Sequence, residues 1–108
     1  MVRFIVKVLT NTDVSQRLGV TTEMLNELPP YNREHDVPVR VLDDTGMNYK
    51  FKLSVRAEGA LKPVFQYQEW RAFVNRRNIK AGDVIYFWEE ASAAHETEYR
   101  IALLRTFV

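Results

Sequence analysis

The sequence predicts a mostly β fold of about seven short strands and two short helices, contained in one domain over residues 1–108. Two observations lead to this prediction. Apolar and polar residues alternate with a period near two in residues 3–9 and on both sides of a turn at residues 43–46, as expected of half-buried strands. The aromatic residues (six Phe, five Tyr and two Trp) supply much of the apolar area that a small core requires.

The chain begins with a strand, a polar loop and a brief second strand. β-Branched residues are frequent in residues 3–9, which form the first strand. Residues 10–17 are rich in Thr, Asn, Asp and Ser, all of which favour turns, and we expect a loop there. Residues 18–20 are short and apolar and predict the second strand.

The first helix is expected to end at Leu28. Thr21 or Thr22 can cap its first N–H groups, and Glu23 places an acid in its first turn, where the helix dipole favours negative charge. The two prolines at positions 29 and 30 cannot continue the helix.

A β-hairpin follows the first helix. Val residues alternate with other types in residues 37–42, and a second alternating strand covers residues 49–55, after the Asp-Asp-Thr-Gly turn at residues 43–46. Pro38 restricts the first of these strands to a sheet edge, or else marks its start, because proline has no N–H group for the ladder.

The C-terminal half continues with a second polar loop at residues 56–62 and a short strand at residues 64–65. The second helix covers residues 68–77, since Trp70, Phe73 and Val74 share one face of it. The remaining expected elements are a turn at residues 80–83, a strand at 84–88, an acidic loop at 89–97 and a final strand at 99–104.

Composition excludes several kinds of protein. The chain has no cysteine, so disulfides, cysteine-bound zinc and thiol catalysis are excluded. No apolar run approaches the roughly 20 residues that cross a bilayer, and we expect no membrane partner. The net charge of +1 does not by itself indicate nucleic-acid binding; a basic surface would require that cations and acids lie on different faces.

No set of residues in the sequence predicts an enzyme. His35 and His95 lie in expected loops without a second histidine at metal-ligand spacing. Asp43 and Asp44 precede Thr-Gly and are interpreted as turn residues. No glycine-rich phosphate loop is present. We therefore expect no catalytic residue, no metal, no cofactor and no small-molecule substrate.

The two polar loops are the stretches of most functional interest. Residues 10–17 contain side chains that hydrogen-bond phosphates or base edges, and residues 56–62 place two cations around Gly59, which permits a close approach of backbone to a partner. Each loop alone is typical of an ordinary surface connection. Together they suggest a binding site, provided that the fold sets them side by side.

Three sequence patterns resemble the plant B3 DNA-binding domain. Residues 7–14 read Lys-Val-Leu-Thr-Asn-Thr-Asp-Val and are followed by Arg17-Leu18, similar to the opening of that family. Trp70, Phe73 and Val74, then Ile-Lys-Ala-Gly-Asp-Val at residues 79–84 and Phe87, resemble its C-terminal signature. Residues 49–52, Tyr-Lys-Phe-Lys, resemble the strand before the family's second recognition loop. The resemblance covers about residues 5–105.

The resemblance implies a seven-stranded open pseudobarrel with two short helices, acting in the nucleus in transcription regulation. It implies that two arms grip the major groove of double-stranded DNA, one at residues 10–17 and one at residues 56–62. Lys7 and Lys52 are expected to meet phosphates. The other DNA-binding residues that it implies are Thr10, Asn11, Thr12, Ser15, Gln16, Arg17, Arg56, Gly59 and Lys62. Other transcription regulators are a further expected class of partner.

Two alternatives remain open. The near-neutral charge and Glu58 in the second arm favour a diverged barrel that binds proteins, with weak DNA binding or none. The same pseudobarrel also serves as the DNA-sensing domain of restriction-type nucleases, although cutting would need a separate domain.

Overall fold

The computed structural model describes residues 3–56, 59, 62–90 and 99–104. The strands in these residues are β1 (Ile5–Val8), β2 (Leu18–Gly19), β3 (Val37–Asp43), β4 (Asn48–Ser54), β5 (Val64–Phe65), β6 (Val84–Glu89) and β7 (Tyr99–Leu104). The helices are α1 (Asn11–Ser15), α2 (Thr22–Glu27) and α3 (Tyr67–Arg77). Residues 91–97 of the predicted acidic loop, with His95, lie outside the described residues; Glu89 belongs to β6.

The seven strands form one curled sheet in the order β1-β6-β7-β3-β4-β5-β2. Among the described strands, β3 and β7 pair in parallel and the other five pairs are antiparallel. In the described part of the chain β1 and β2 form the two ends of the sheet, so the barrel is open between them. The predicted mostly β, seven-stranded open fold is confirmed.

The polar stretch at residues 10–17 contains a helix where the sequence predicted a loop. Thr10 and Asp13 form a reciprocal capping box: Thr10 Oγ1 accepts from the Asp13 N–H at 3.1 Å, and the Thr10 N–H donates to Asp13 Oδ2 at 2.9 Å. This pairing satisfies N–H groups that the first turn leaves free and stabilises five helical residues. The sequence prediction treated these side chains as turn formers and expected two helices, whereas the described residues form three.

Pro38 lies at the start of an interior strand. β3 is flanked by β4 and β7, and Pro38 is its second residue, opposite Lys52 of β4. The pairing of β3 with β7 covers only residues 41–43, so Pro38 precedes the part of β3 that has a partner on both sides. The start-of-strand interpretation is the correct one.

Aromatic side chains fill the barrel and join it to α3. Trp70 and Phe73 of α3 are fully buried and pack edge-on against Phe51 of β4, with ring centroids 5.9 and 6.4 Å away. Phe65 and Phe87 continue the cluster toward the other strands. The predicted apolar face of the second helix is therefore the face that covers the core.

The predicted hairpin turn is fastened to the end of α3. Asp43 is fully buried and accepts hydrogen bonds from the Thr45 N–H, the Thr45 hydroxyl and the Met47 N–H. Burial alone would raise its pKa, but these bonds and the charge of Arg77 outweigh burial and lower the pKa. Arg77 also pairs with Asp44, so both aspartates act in the turn, as the sequence predicts.

Candidate nucleic-acid interface

The first arm, residues 10–17, presents polar side chains to solvent. Its capping box fixes the backbone of α1, and this sets the directions in which the neighbouring side chains project. The exposed residues of the first arm are Thr10, Asn11, Thr12, Ser15, Gln16 and Arg17. Six of the predicted DNA-binding residues therefore lie together on one surface segment.

Asp13 is the buried centre of the first arm. Its carboxylate accepts hydrogen bonds from the N–H groups of Thr10 and Gly19 and pairs with the Lys7 ammonium at 3.2 Å. Burial opposes ionisation, but these three donors outweigh it and hold the pKa of Asp13 below its usual value. Asp13 therefore joins α1 to β1 and β2 in its charged form.

Lys7 lies behind the first arm. Its ammonium donates to Asp13 and to the Gly19 carbonyl, and only 16% of its side chain is exposed. This contact crosses the open seam between β1 and β2. A Cβ at position 19 would lie 3.3 Å from Lys7 Nζ, so glycine gives the ammonium its space. The phosphate contact of Lys7 remains a prediction. In the structure Lys7 supports the first arm from behind, through Asp13 and Gly19.

α3 holds the first arm from the other side. The indole N–H of Trp70 donates to the Asp13 carbonyl at 2.7 Å, and Arg71 donates to the Val14 carbonyl at 2.9 Å. Both acceptors are backbone groups near the end of α1, which has too few residues to satisfy them internally. The arm is therefore anchored through its backbone. Two of its exposed side chains also make local hydrogen bonds: Thr10 Oγ1 accepts from the Asp13 N–H, and the Ser15 hydroxyl donates to the Asn11 carbonyl at 2.7 Å.

The second arm, residues 56–62, is described at Arg56, Gly59 and Lys62, all of which are exposed. Residues 57–58 and 60–61, including Glu58, lie outside the described residues. Gly59 adopts φ +86°, a left-handed conformation that favours glycine. Arg33 donates to the carbonyls of Arg56 and Gly59 at 3.0 and 3.4 Å and braces this arm.

The two arms lie at opposite ends of the short strand β5. The first arm leads into Leu18 of β2, which pairs with Phe65, whereas Lys62 ends the second arm and leads into β5 through Pro63. The Val20 N–H donates to the Pro63 carbonyl at 3.0 Å and continues the pairing past β2. Along β5 the bases of the two arms are thus separated by a few residues.

Two adjoining cavities extend from the first arm across the start of α3. One of about 270 Å³ is lined by Ser15, Gln16 and Arg17 together with Gln66 and Tyr67. The other, of about 480 Å³, shares Gln66 and Tyr67. Its remaining lining residues are Asp36, Lys50, Lys52, Gln68 and Glu69. Lys52 is therefore brought to the same groove as the first arm, whereas Arg56, Gly59 and Lys62 line neither cavity.

The charge of this groove is mixed. Arg17, Lys50 and Lys52 supply cations, and Asp36 and Glu69 place two acids in the larger cavity. The exposed cations of the second arm lie beyond the far end of β5. Cations therefore lie at both arms and on β4, and those of β4 adjoin the two acids.

Sequence reasoning missed several residues of this surface. Arg33 lies in a stretch without hydrophobic periodicity, and nothing in its neighbours indicates that it reaches the second arm. Gln66 and Tyr67 lie between the predicted strand at residues 64–65 and the predicted helix at residues 68–77, and neither was predicted to bind DNA. The absence of a side-chain cap at Gln66 is visible only in the structure.

Among the described residues, no group of three or more His, Asp or Glu side chains could hold a metal ion. In the same part of the chain, no helix is long and apolar enough to span a membrane.

The chain shares its fold with solved structures from Arabidopsis. An Arabidopsis FUS3–DNA complex aligns with a TM-score of 0.80 and 23% identity, covering 97% of this chain and 100% of that chain. The Arabidopsis thaliana transcription factor LEC2–DNA complex gives 0.75 and 21%, covering 95% and 94%. A hypothetical Arabidopsis thaliana protein gives 0.62 and 18%, covering 96% and 89%. No protein-family model and no curated protein sequence matches the chain.

Proposed function

We propose that this chain is a sequence-selective double-stranded DNA-binding domain of a plant transcription factor, acting in the nucleus by binding alone. The observation that supports the proposal is the fold: two structures solved with DNA share it over nearly the whole length of this chain. The sequence resemblance to the B3 domain agrees with it independently, because the resemblance rests on residue patterns and not on the superposition.

The spacing of the arms supports binding in the major groove. Arg17 immediately precedes the residue paired with Phe65, and Lys62 lies three residues before Phe65 along the chain. Because β2 and β5 are antiparallel, Arg17 falls opposite the position after Phe65, four residues from Lys62, and at about 3.3 Å per residue of strand the bases of the two arms lie roughly 13 Å apart along β5. This spacing is similar to the width of the major groove of B-DNA, about 12 Å, which supports contact of both arms with one groove.

The proposed roles follow from side-chain chemistry. Arg17 can donate two hydrogen bonds to a guanine edge, and Gln16 can pair with adenine. Thr10, Asn11, Thr12 and Ser15 offer short polar groups for phosphates and bases along the first arm. Lys52, Arg56 and Lys62 meet phosphates from the strand and from the second arm, where the backbone at Gly59 can come close to the DNA.

The test measures binding to a fluorescent pool of random duplexes over a range of salt concentrations. With five to eight phosphate contacts, log affinity falls against log salt by about 0.9 for each contact. Arg17→Ala weakens binding, whereas Arg3→Ala, which removes an exposed arginine of the β1 end, leaves it unchanged. A flat salt response, or equal affinity of both variants, would overturn the proposal.

A protein-interaction module is the second candidate function. The two acids beside Lys50 and Lys52 favour it, since they would face phosphates across the larger cavity. No binding to any duplex at low salt would favour this module over the DNA-binding domain.

A further inference from the structure

The outer face of β1, β6 and β7 is apolar. Val6 pairs with Tyr86 and Val8 with Val84, and on the other side of β6 Tyr86 pairs with Ala102 and Val84 with Leu104. We use the name outer face for six residues on this side of the sheet: Phe4, Val6, Val8, Tyr86, Trp88 and Leu104. Antiparallel sheets with one solvated side normally alternate apolar and polar residues, and here the solvent side is apolar as well.

This face is strongly exposed. Phe4, Val6 and Val8 are 59, 55 and 60% exposed, and Leu104 is 44% exposed, whereas the inward neighbours Ile5 and Ile85 are buried. Taking about 150–250 Å² for each large side chain, these exposed fractions together correspond to on the order of 400 Å² of apolar surface in contact with water. A patch of this size is comparable to the largest apolar patch of a typical soluble monomer, and such patches often serve as interaction sites.

Charge is nearly absent from the outer face. Phe4 packs edge-on against Trp88 at 5.0 Å, and Arg100 lies over the other part of Trp88 at 5.8 Å. The guanidinium of Arg100 is neutralised by Glu90 at 2.8 Å. An identical face would therefore meet no uncompensated like charge, and the centre has the aromatic, uncharged composition of homodimer interfaces.

We propose that the outer face binds the outer face of a second copy of this chain and forms a two-fold symmetric dimer. Two such faces would bury roughly 800 Å² in total, below the 1,200–2,000 Å² of stable complexes. The dimer is accordingly weak, with a dissociation constant in the micromolar range or above. A two-fold arrangement uses the same patch on both copies and leaves no open patch for further growth.

The dimer leaves the arms free. The outer face belongs to β1, β6 and β7, whereas the arms are carried by α1, β2, β4 and β5 and anchored by α3. Two copies joined in this way can each hold one site on the same duplex. This second statement rests on the proposed function, because it assumes that the arms bind DNA.

The test is sedimentation equilibrium of the DNA-free protein over a wide range of concentrations. The apparent mass of wild type rises above 12.7 kDa toward twice that value as concentration increases. Val8→Lys places a cation on the face and lowers the association constant roughly tenfold or more, because each copy then brings an unpaired charge into an apolar interface. Met47→Lys, at another exposed apolar residue, leaves association unchanged.

Three results would overturn the dimer: a constant mass of 12.7 kDa at every concentration, equal association of Val8→Lys and wild type, or masses that grow beyond two copies. Circular dichroism verifies that the variants fold, and the milder Val6→Thr replaces Val8→Lys if the latter does not. The assay contains no DNA, so failure of the dimer is distinct from failure of DNA binding. On a duplex with two sites, Val8→Lys abolishes cooperativity while single-site affinity is retained.

Discussion

The indole N–H of Trp70 donates a 2.7 Å hydrogen bond to the backbone carbonyl of Asp13, 57 residues earlier in the chain. The indole is fully buried, and its ring also packs in the aromatic core. One side chain therefore joins the core of the barrel to the first arm. The position of the exposed arm depends on the packing of a residue that need not contact DNA itself.

Trp70→Phe separates these two roles. Phenylalanine keeps most of the packing but leaves the Asp13 carbonyl without its buried donor, so the free energy of unfolding falls by about 1–3 kcal/mol. Because the arm loses an anchor, DNA affinity also falls in this variant. Urea denaturation and fluorescence anisotropy measure the two effects. Unchanged stability would show that the hydrogen bond contributes little.

Asp13→Asn tests the buried ion pair. The variant leaves the Lys7 ammonium without its carboxylate in a largely buried site, and the free energy of unfolding falls by about 2–3 kcal/mol. Asp36→Asn, at an exposed aspartate, changes it by less than about 0.5 kcal/mol. Equal unfolding midpoints in urea for the two variants would contradict the account of Asp13.

Acid weakens the fold through the same carboxylate and through Asp43. Burial raises the pKa of each, but hydrogen bonds and nearby cations outweigh it, so both values lie below the ordinary 3.8. With the lower pKa in the folded state, their contribution to stability is present above the unfolded value and is lost as pH falls through the folded value.

Urea unfolding measured from neutral pH down to about pH 2 follows this loss. Wild type loses stability below its unfolded aspartate value, and Asp13→Asn shows a shallower decline because one of the two groups no longer titrates. A decline of equal steepness in both proteins would show that Asp13 is not a source of the pH dependence.

We expect removal of Lys7 and removal of Lys52 to change the salt dependence of DNA binding differently. Lys52→Met removes a phosphate contact, so the slope of log affinity against log salt becomes shallower by about 0.9. Lys7→Met loosens the first arm from behind and lowers affinity with the slope unchanged. A reduced slope in Lys7→Met would instead support a direct contact between Lys7 and a phosphate, as the sequence resemblance implies.

Much of the scaffold was predictable because its signals are local. The hairpin at residues 37–55 and the buried face of α3 follow from the alternation of apolar residues and from a turn that is encoded in four consecutive residues. The threonine cap of α2 is equally local: Thr21 Oγ1 accepts from the Met24 N–H at 3.2 Å. Each of these patterns involves neighbours in sequence.

The parts that were missed depend on distant contacts. Thr10 and Asp13 can form turns or a helix, and the anchoring by Trp70 and Arg71 of α3 accompanies the helical form. Lys7 looked like a surface cation because its partner, the Gly19 carbonyl, is a backbone group 12 residues away. The apolar residues on both sides of β1 indicated a strand but not which side faces solvent.

The measurement that tests the central claim most directly is an NMR titration of the ¹⁵N-labelled chain with a duplex selected from the random pool. We expect the largest amide shift changes in residues 10–17, at Lys52, Arg56, Gly59 and Lys62, and at Gln66 and Tyr67. The outer face should change little at concentrations that keep the protein monomeric. Shift changes confined to the outer face, or none at saturating DNA, would contradict the account.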